Sequence, residues 1–189
     1  NNANLIGCRI NYSDEQHYVY RILNNTNVSA PGSDVIYYYA TTRPESIKLI
    51  ISGNTFSPTW NGTSYSLDIR TSQTHSLDTV IVSNNIFYTP TTYNRNQYSR
   101  LQMGLDGDLL VFKDNIFTDG ESTNTNYLVL TRPDSVLRNT YHDGRIIINY
   151  GSPYITNNKL LRNVTNSNYT SLRLLNCSPT VFNNYIVVG

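Results

Sequence analysis

Residues 152–161 read SPYITNNKLL, and residues 178–187 read SPTVFNNYIV. The two stretches share one phrase: an apolar residue, two free positions, Asn, one free position, then a large side chain. The same phrase runs through Ile51, Asn54 and Phe56, then Val82, Asn85 and Phe87, then Phe112, Asn115 and Phe117. It returns at Val136, Asn139 and Tyr141, at Ile155, Asn158 and Leu160, and at Val181, Asn184 and Ile186. Ile22 and Asn25 keep a reduced copy. The asparagines recur every 20 to 30 residues or so, the range of solenoid and propeller repeats.

Upstream of each Asn the units also align. RIIINYGSPYITNNKL lies over SLRLLNCSPTVFNNYI without a gap, and YLVLTRPDSVLRNTY fits the same frame. Each unit reads as a strand, a tight turn with Pro or Gly, a short strand, the Asn, and a third short strand. A chain that bends sharply between two strands needs a residue in the left-handed region, and Asn tolerates it best after Gly. Stacked units also set the Asn amides above one another, where they can bond along the stack. Asn54, Asn85, Asn115, Asn139, Asn158 and Asn184 are therefore expected to form a corner column. Phe56, Phe87, Phe117, Tyr141, Leu160 and Ile186 are expected to form a buried stack beside it.

The composition agrees. Asn, Ser, Thr and Tyr are abundant, helix formers are thin, and β-branched and aromatic residues are plentiful, which predicts strands and almost no helix. Propeller blades run to about forty residues or more with four strands, and these units are shorter. The phrase and its spacing resemble the right-handed parallel β-helix of the pectate-lyase type. The expected fold is thus all-β, a right-handed solenoid of about seven coils. Residues 45–189 carry the repeat, with residues 1–44 as irregular coils or a cap region. Solenoids are closed by capping units, and NNYIVVG resembles none, so the stack is expected to continue through more chain or another subunit.

The formal net charge of +1 argues against a nucleic-acid surface, which needs a basic field. No apolar run of about eighteen residues is present, so no membrane-spanning helix is expected. The absence of an initiator Met and of a signal peptide suggests a mature form or a piece of a longer chain. Cys8 and Cys177 fall near opposite ends of a solenoid, so both are expected to be free. Seven Asn-X-Ser/Thr sequons, at Asn11, Asn24, Asn27, Asn61, Asn163, Asn168 and Asn176, follow from a composition rich in these residues.

The candidate site residues are few. Asp106-Gly107-Asp108 looks like a fragment of a calcium loop, but the residues that follow read LLVF, and an ordinary turn is the better reading. No metal site is expected. His142, Asp143 and Arg145 gather a base, an acid and a guanidinium just after a core strand. They are the first candidates for catalysis, weighed against a plain loop turn. Arg132, Arg145 and Arg173 fall near outward positions of neighbouring coils and suit an acidic sugar, unless they are solvated surface. Sixteen Tyr against three Lys is an unusual balance. Tyr37, Tyr38, Tyr39, Tyr65, Tyr93, Tyr98 and Tyr127 sit in or beside strands, where aromatic faces either pack in the core or stack on sugar rings. Trp60, in SPTWNGTSY, is the best exposed-aromatic candidate for a ligand contact. In the strand runs, Tyr127, Val129, Ile146, Ile148, Leu172 and Leu174 are read as inward. Leu128, Leu130, Ile147 and Leu175 are read as an outward apolar patch needing cover.

The resemblance implies three functions. The first is a structural and receptor-binding segment of a phage tail spike or fibre, on the virion surface or otherwise extracellular, often trimeric, engaging a bacterial surface polysaccharide. The second is a secreted polysaccharide lyase or glycoside hydrolase of the same fold, in which Ca²⁺ would enter only for a lyase; otherwise no cofactor is implied. The third is a bacterial surface adhesin. The signatures Asn-Thr-Asp, Gly-His-Gly and Arg-Ile-Lys of polygalacturonases are absent, as is a stacked group of carboxylates, so the non-enzymatic reading leads.

Overall fold

A computed structural model describes residues 4–6, 8–10, 18–29, 36–39, 47–56, 65–70, 78–88, 98–103, 108–118, 126–142, 144–162 and 172–188. Among these residues there are strands and connecting turns and no helix. The strands form three sheets, of eight, seven and seven strands. Sheet I holds Asn4–Ile6, Thr26–Ser29, Thr55–Phe56, Ile86–Tyr88, Ile116–Thr118, Thr140–His142, Lys159–Arg162 and Tyr185–Val188. Sheet II holds Cys8–Ile10, Ile36–Tyr39, Tyr65–Arg70, Tyr98–Gln102, Asn126–Thr131, Gly144–Asn149 and Leu172–Leu175. Sheet III holds Tyr18–Leu23, Ile47–Ser52, Thr79–Ser83, Leu109–Lys113, Ser135–Leu137, Tyr154–Thr156 and Thr180–Phe182.

The chain visits the sheets in turn, so each strand pairs in parallel with the strand three places on. Parallel pairing requires a long return between partners, and here the other two sheets supply it. This is the arrangement of a parallel β-solenoid. The strands before residue 45 take places in the same three sheets.

One face of every sheet is turned to a common core. In sheet III the buried row runs through Ile22, Ile51, Val82, Phe112, Val136 and Ile155. In sheet I it runs through Phe56, Phe87, Phe117, Tyr141 and Leu160. The aromatic members lie face to face. Their ring centroids are 4.7, 4.5 and 4.8 Å apart, and the planes are within 13° of parallel. Such pairs add about 0.5–1.5 kcal/mol each beyond burial. Ile186, expected at the end of this stack, is instead 47% exposed, and Val181 is 46% exposed. Both lie on the last described strands, with no strand beyond them to close the core.

The corner between sheets III and I needs a second correction. The left-handed residue there is the one before the column Asn. It is Asn24, Gly53, Asn84, Asp114, Arg138, Asn157 or Asn183, each with φ between 52° and 69°. The column Asn that follows does the bonding. Asn54, Asn85, Asn115, Asn139 and Asn158 are buried. The side-chain carbonyl of each accepts from the backbone N–H and the Nδ2 of the Asn before it in the column, at 2.9 to 3.1 Å. Asn184 does the same for Asn158. Each Nδ2 also donates to a backbone carbonyl, for example Asn115 to Val82 and Asn139 to Phe112. The bend and the hydrogen bonding thus belong to neighbouring residues, because a side chain reaching along the stack leaves its own backbone extended toward the next strand.

The inward set of sheet II also differs from the sequence reading. Leu128 and Leu130 are buried, in register with Ile146 and Ile148, while Val129 and Ile147 are half-buried. A continuous apolar run fixes no phase from sequence; pairing with RIIIN fixes it here. Asp108, read as part of a turn, is buried at the start of a strand, and its carboxylate accepts the N–H of Asp78 at 2.8 Å. Asp78 accepts that of Ile47, and Asp134 that of Leu110. A second column, of aspartates, therefore holds the corner entering sheet III. Cys177 is a free thiol packed against the core, and Cys8 lies on the first strand of the sheet whose last strand Cys177 follows. Asp106 and Gly107 lie outside the described residues.

Candidate functional site

Sheet II gathers the largest number of candidate side chains. Its buried rows run through Ile36, Leu67, Leu128 and Ile146, and through Ile69, Leu101, Leu130 and Ile148. The rows that alternate with them belong to the opposite face, since neighbouring strand residues point to opposite sides. The first such row places the strand positions Tyr98, Tyr127 and Arg145 in register on three successive strands. Tyr65 pairs with Tyr98 but is in phase with buried Leu67 and Ile69, with a register shift following it. The second runs Tyr37, Asp68, Arg100, Val129, Ile147 and Arg173. The third runs Tyr39, Arg70, Gln102, Thr131, Asn149 and Leu175. Register is what unites the tyrosines: they are about thirty residues apart in sequence, and strand stacking brings them to about 4.8 Å.

Asp68 was not singled out by its sequence context. It is only 1% exposed, yet lies in a row outside the core. Arg70, two residues on along the same strand, grips it with Nε–Oδ1 at 2.9 Å and a second nitrogen to Oδ2 at 2.6 Å. Burial raises the Asp68 carboxyl above its ordinary value, and the hydrogen bond and charge of Arg70 hold it back in part. The pair fixes the Arg70 guanidinium, 30% exposed, beside the middle of the face.

The end of sheet II carries a second left-handed set. Arg132 (φ 52°), Tyr150 (φ 61°) and Asn176 (φ 50°) follow the last strand residues Thr131, Asn149 and Leu175. The Arg132 backbone N–H donates to Asn149, and that of Tyr150 to Leu175. The Arg132 guanidinium carbon lies 5.5 Å from the centre of the Tyr150 ring, within cation–π range. Its Nη1 also donates to the Met103 carbonyl at 3.4 Å.

The residues expected from sequence are distributed as follows. His142 is half-buried at the end of a sheet I strand, opposite Leu161, and Arg145 lies on the next strand, in sheet II. Asp143, between them, and Trp60 lie outside the described residues. Arg173 is exposed in the second row. Arg132, Arg145 and Arg173 thus occupy a corner, the first row and the second row, not one stripe. Among the described residues no three His, Cys, Asp or Glu come together as a metal site. Tyr150 was missed because its partner Arg132 meets it only once the coils are stacked, whereas Arg70 had a local signal in Asp68, two residues before it on the same strand. The aspartate column had a signal, since Asp78 and Asp108 recur at the same interval as Asn85 and Asn115.

Comparisons with protein-family models, with curated proteins and with solved structures give no match to this chain.

Proposed function

We propose that the chain is a structural and receptor-binding segment of a phage tail spike or fibre, which engages a bacterial surface polysaccharide through the outer face of sheet II. In this reading the solenoid is a right-handed parallel β-helix of about seven coils, of the pectate-lyase type, and a homotrimer on the virion surface. The observation that carries it is the register of Tyr98 and Tyr127 with Arg145. Two tyrosine positions and an arginine position aligned across three neighbouring coils suit the chemistry of a sugar chain. Aromatic faces pack on pyranose C–H surfaces, and Arg recognises carboxylates or phosphates.

The test is an array of bacterial capsule and O-chain polysaccharides probed with the intact chain, with light scattering for its mass. Binding to one or a few polysaccharides, weakened by Tyr98→Ala and Tyr127→Ala, is the expected result. A silent array, with assembly into a fibre, would leave the chain a purely structural segment. Appearance of new reducing or unsaturated ends, abolished by His142→Ala, would make it a depolymerising enzyme instead.

A further inference from the structure

The chain keeps two left-handed columns, and their exceptions are informative. At the corner from sheet III to sheet I, Asn or Gly fills five of the seven positions given above; the other two, Asp114 and Arg138, form an ion pair with each other at 2.7 Å. At the end of sheet II the third position is Asn176, so Asn fits this corner. Yet the two coils before it carry Arg132 and Tyr150, and a bulky side chain with positive φ is an outlier. Strain of this kind persists where the surroundings enforce it, and it gathers at binding sites.

The surroundings are specific. Gly151, with φ 85°, follows Tyr150, and a Cβ placed there would lie 3.3 Å from the Arg132 Cα. Glycine therefore lets the two corners approach closely. Arg132, tied to Met103, lies over the Tyr150 ring. Tyr150 is nevertheless 48% exposed. An aromatic side chain held on one side by a cation and open to solvent elsewhere is a fixed apolar plate. Holding it in advance lowers the ordering cost of binding.

We propose that Tyr150 is a stacking platform for one pyranose ring of the polysaccharide, with Arg132 as the residue that positions it. This rests on the glycan-binding reading above and assigns to it a subsite at the end of sheet II, apart from the tyrosine row. The sugar would lay a C–H face on the open side of the phenol ring, so the subsite accepts neutral as well as acidic residues.

The test uses the polysaccharide that gives the strongest signal on the array, titrated against the intact chain and three variants. Tyr150→Asn removes the ring and places at the corner the residue type found at Asn176. Its Tm is expected to equal or exceed that of the parent, while binding weakens by about tenfold, as for loss of one stacked ring. Arg132→Asn is expected to weaken binding less, and Arg132→Lys, which keeps a cation over the ring, to restore most of it. Tyr150→Asn with unchanged binding, in a chain whose Tyr98→Ala variant is impaired, would overturn the platform and leave the glycan-binding reading standing. A Tm well below that of the parent would show that the Arg132–Tyr150 pair serves to hold the corner, and would also overturn it. A parent that binds no polysaccharide on the array would remove the reading and this inference together.

Discussion

Asn115 shows how much one side chain carries. Its carbonyl accepts two hydrogen bonds from Asn85, and its amide donates to Asn139 and to Val82. Asn115→Ala would leave several buried groups unpaired at about 1–3 kcal/mol each, so a loss of at least 3 kcal/mol is expected in denaturant unfolding. Asn84, one residue before the column, only bends the chain, and Asn84→Gly is expected to be neutral to within about 1 kcal/mol. The sequence made the column legible through its period. It did not separate the two roles, because four corners spell Asn-Asn and either residue fits the bend. Tyr141 is a different case. Its place in the aromatic stack was readable, but its buried hydroxyl has no hydrogen-bond partner among the described residues. Tyr141→Phe should therefore be neutral or stabilising by about 1 kcal/mol. Burial pushes the Tyr141 hydroxyl well above its ordinary value of 10.0. The folded form then holds its proton more firmly than the unfolded form. Stability from this group is complete below pH 10 and falls as pH rises past it. Tyr141→Phe should lose that alkaline slope.

At the scale of the strand, phase decides. YLVLT gives alternation no purchase, since four of its five residues have large apolar bodies, and the parallel pairing with RIIIN sets Leu130 inward and Val129 outward. Leu130→Ala is expected to cost about 2–5 kcal/mol and Val129→Ala under about 1 kcal/mol, a contrast that chemical denaturation would read directly. The reverse result would restore the phase expected from the sequence. The aspartate column gives the strands a pH dependence. Burial and the neighbouring Asp108 charge raise the Asp134 carboxyl, against the hydrogen bond from Leu110, and Asp68 is raised by burial. A carboxyl raised above 3.8 binds more protons in the folded state. These two groups therefore make the fold less stable as pH rises through that window toward neutrality. Asp134→Asn should flatten this part of the stability-against-pH curve.

At the scale of the whole solenoid, the inward row of sheet III is more exposed on its last described strand than on its first. Ile22 is 9% exposed on the first strand of sheet III, whereas Val181 is 46% exposed on the last. In a stacked array each unit leans only on its neighbours, so substitutions should weigh less toward the open side. Ile186→Ala is expected to cost under about 1 kcal/mol and Leu160→Ala about 2–5 kcal/mol. Solenoid architecture was legible at this scale because the repeat survives translation from coil to coil. The candidate site was less so: Tyr98, Tyr127 and Arg145 are unremarkable in their own segments, and only the inter-coil register makes a row of them.

The asparagine amides all point one way. From Asn25 to Asn158 each Nδ2 donates toward the higher-numbered neighbour, and none is reversed. The column is thus an aligned chain of dipoles parallel to the solenoid axis, in which each member polarises the next. Its amide protons should exchange with solvent most slowly near the middle, at Asn85, Asn115 and Asn139, and fastest toward Asn25 and Asn184. One interruption at Asn115 should split the chain into two shorter dipoles and quicken exchange on both sides of the break, a signature that side-chain amide NMR would resolve residue by residue.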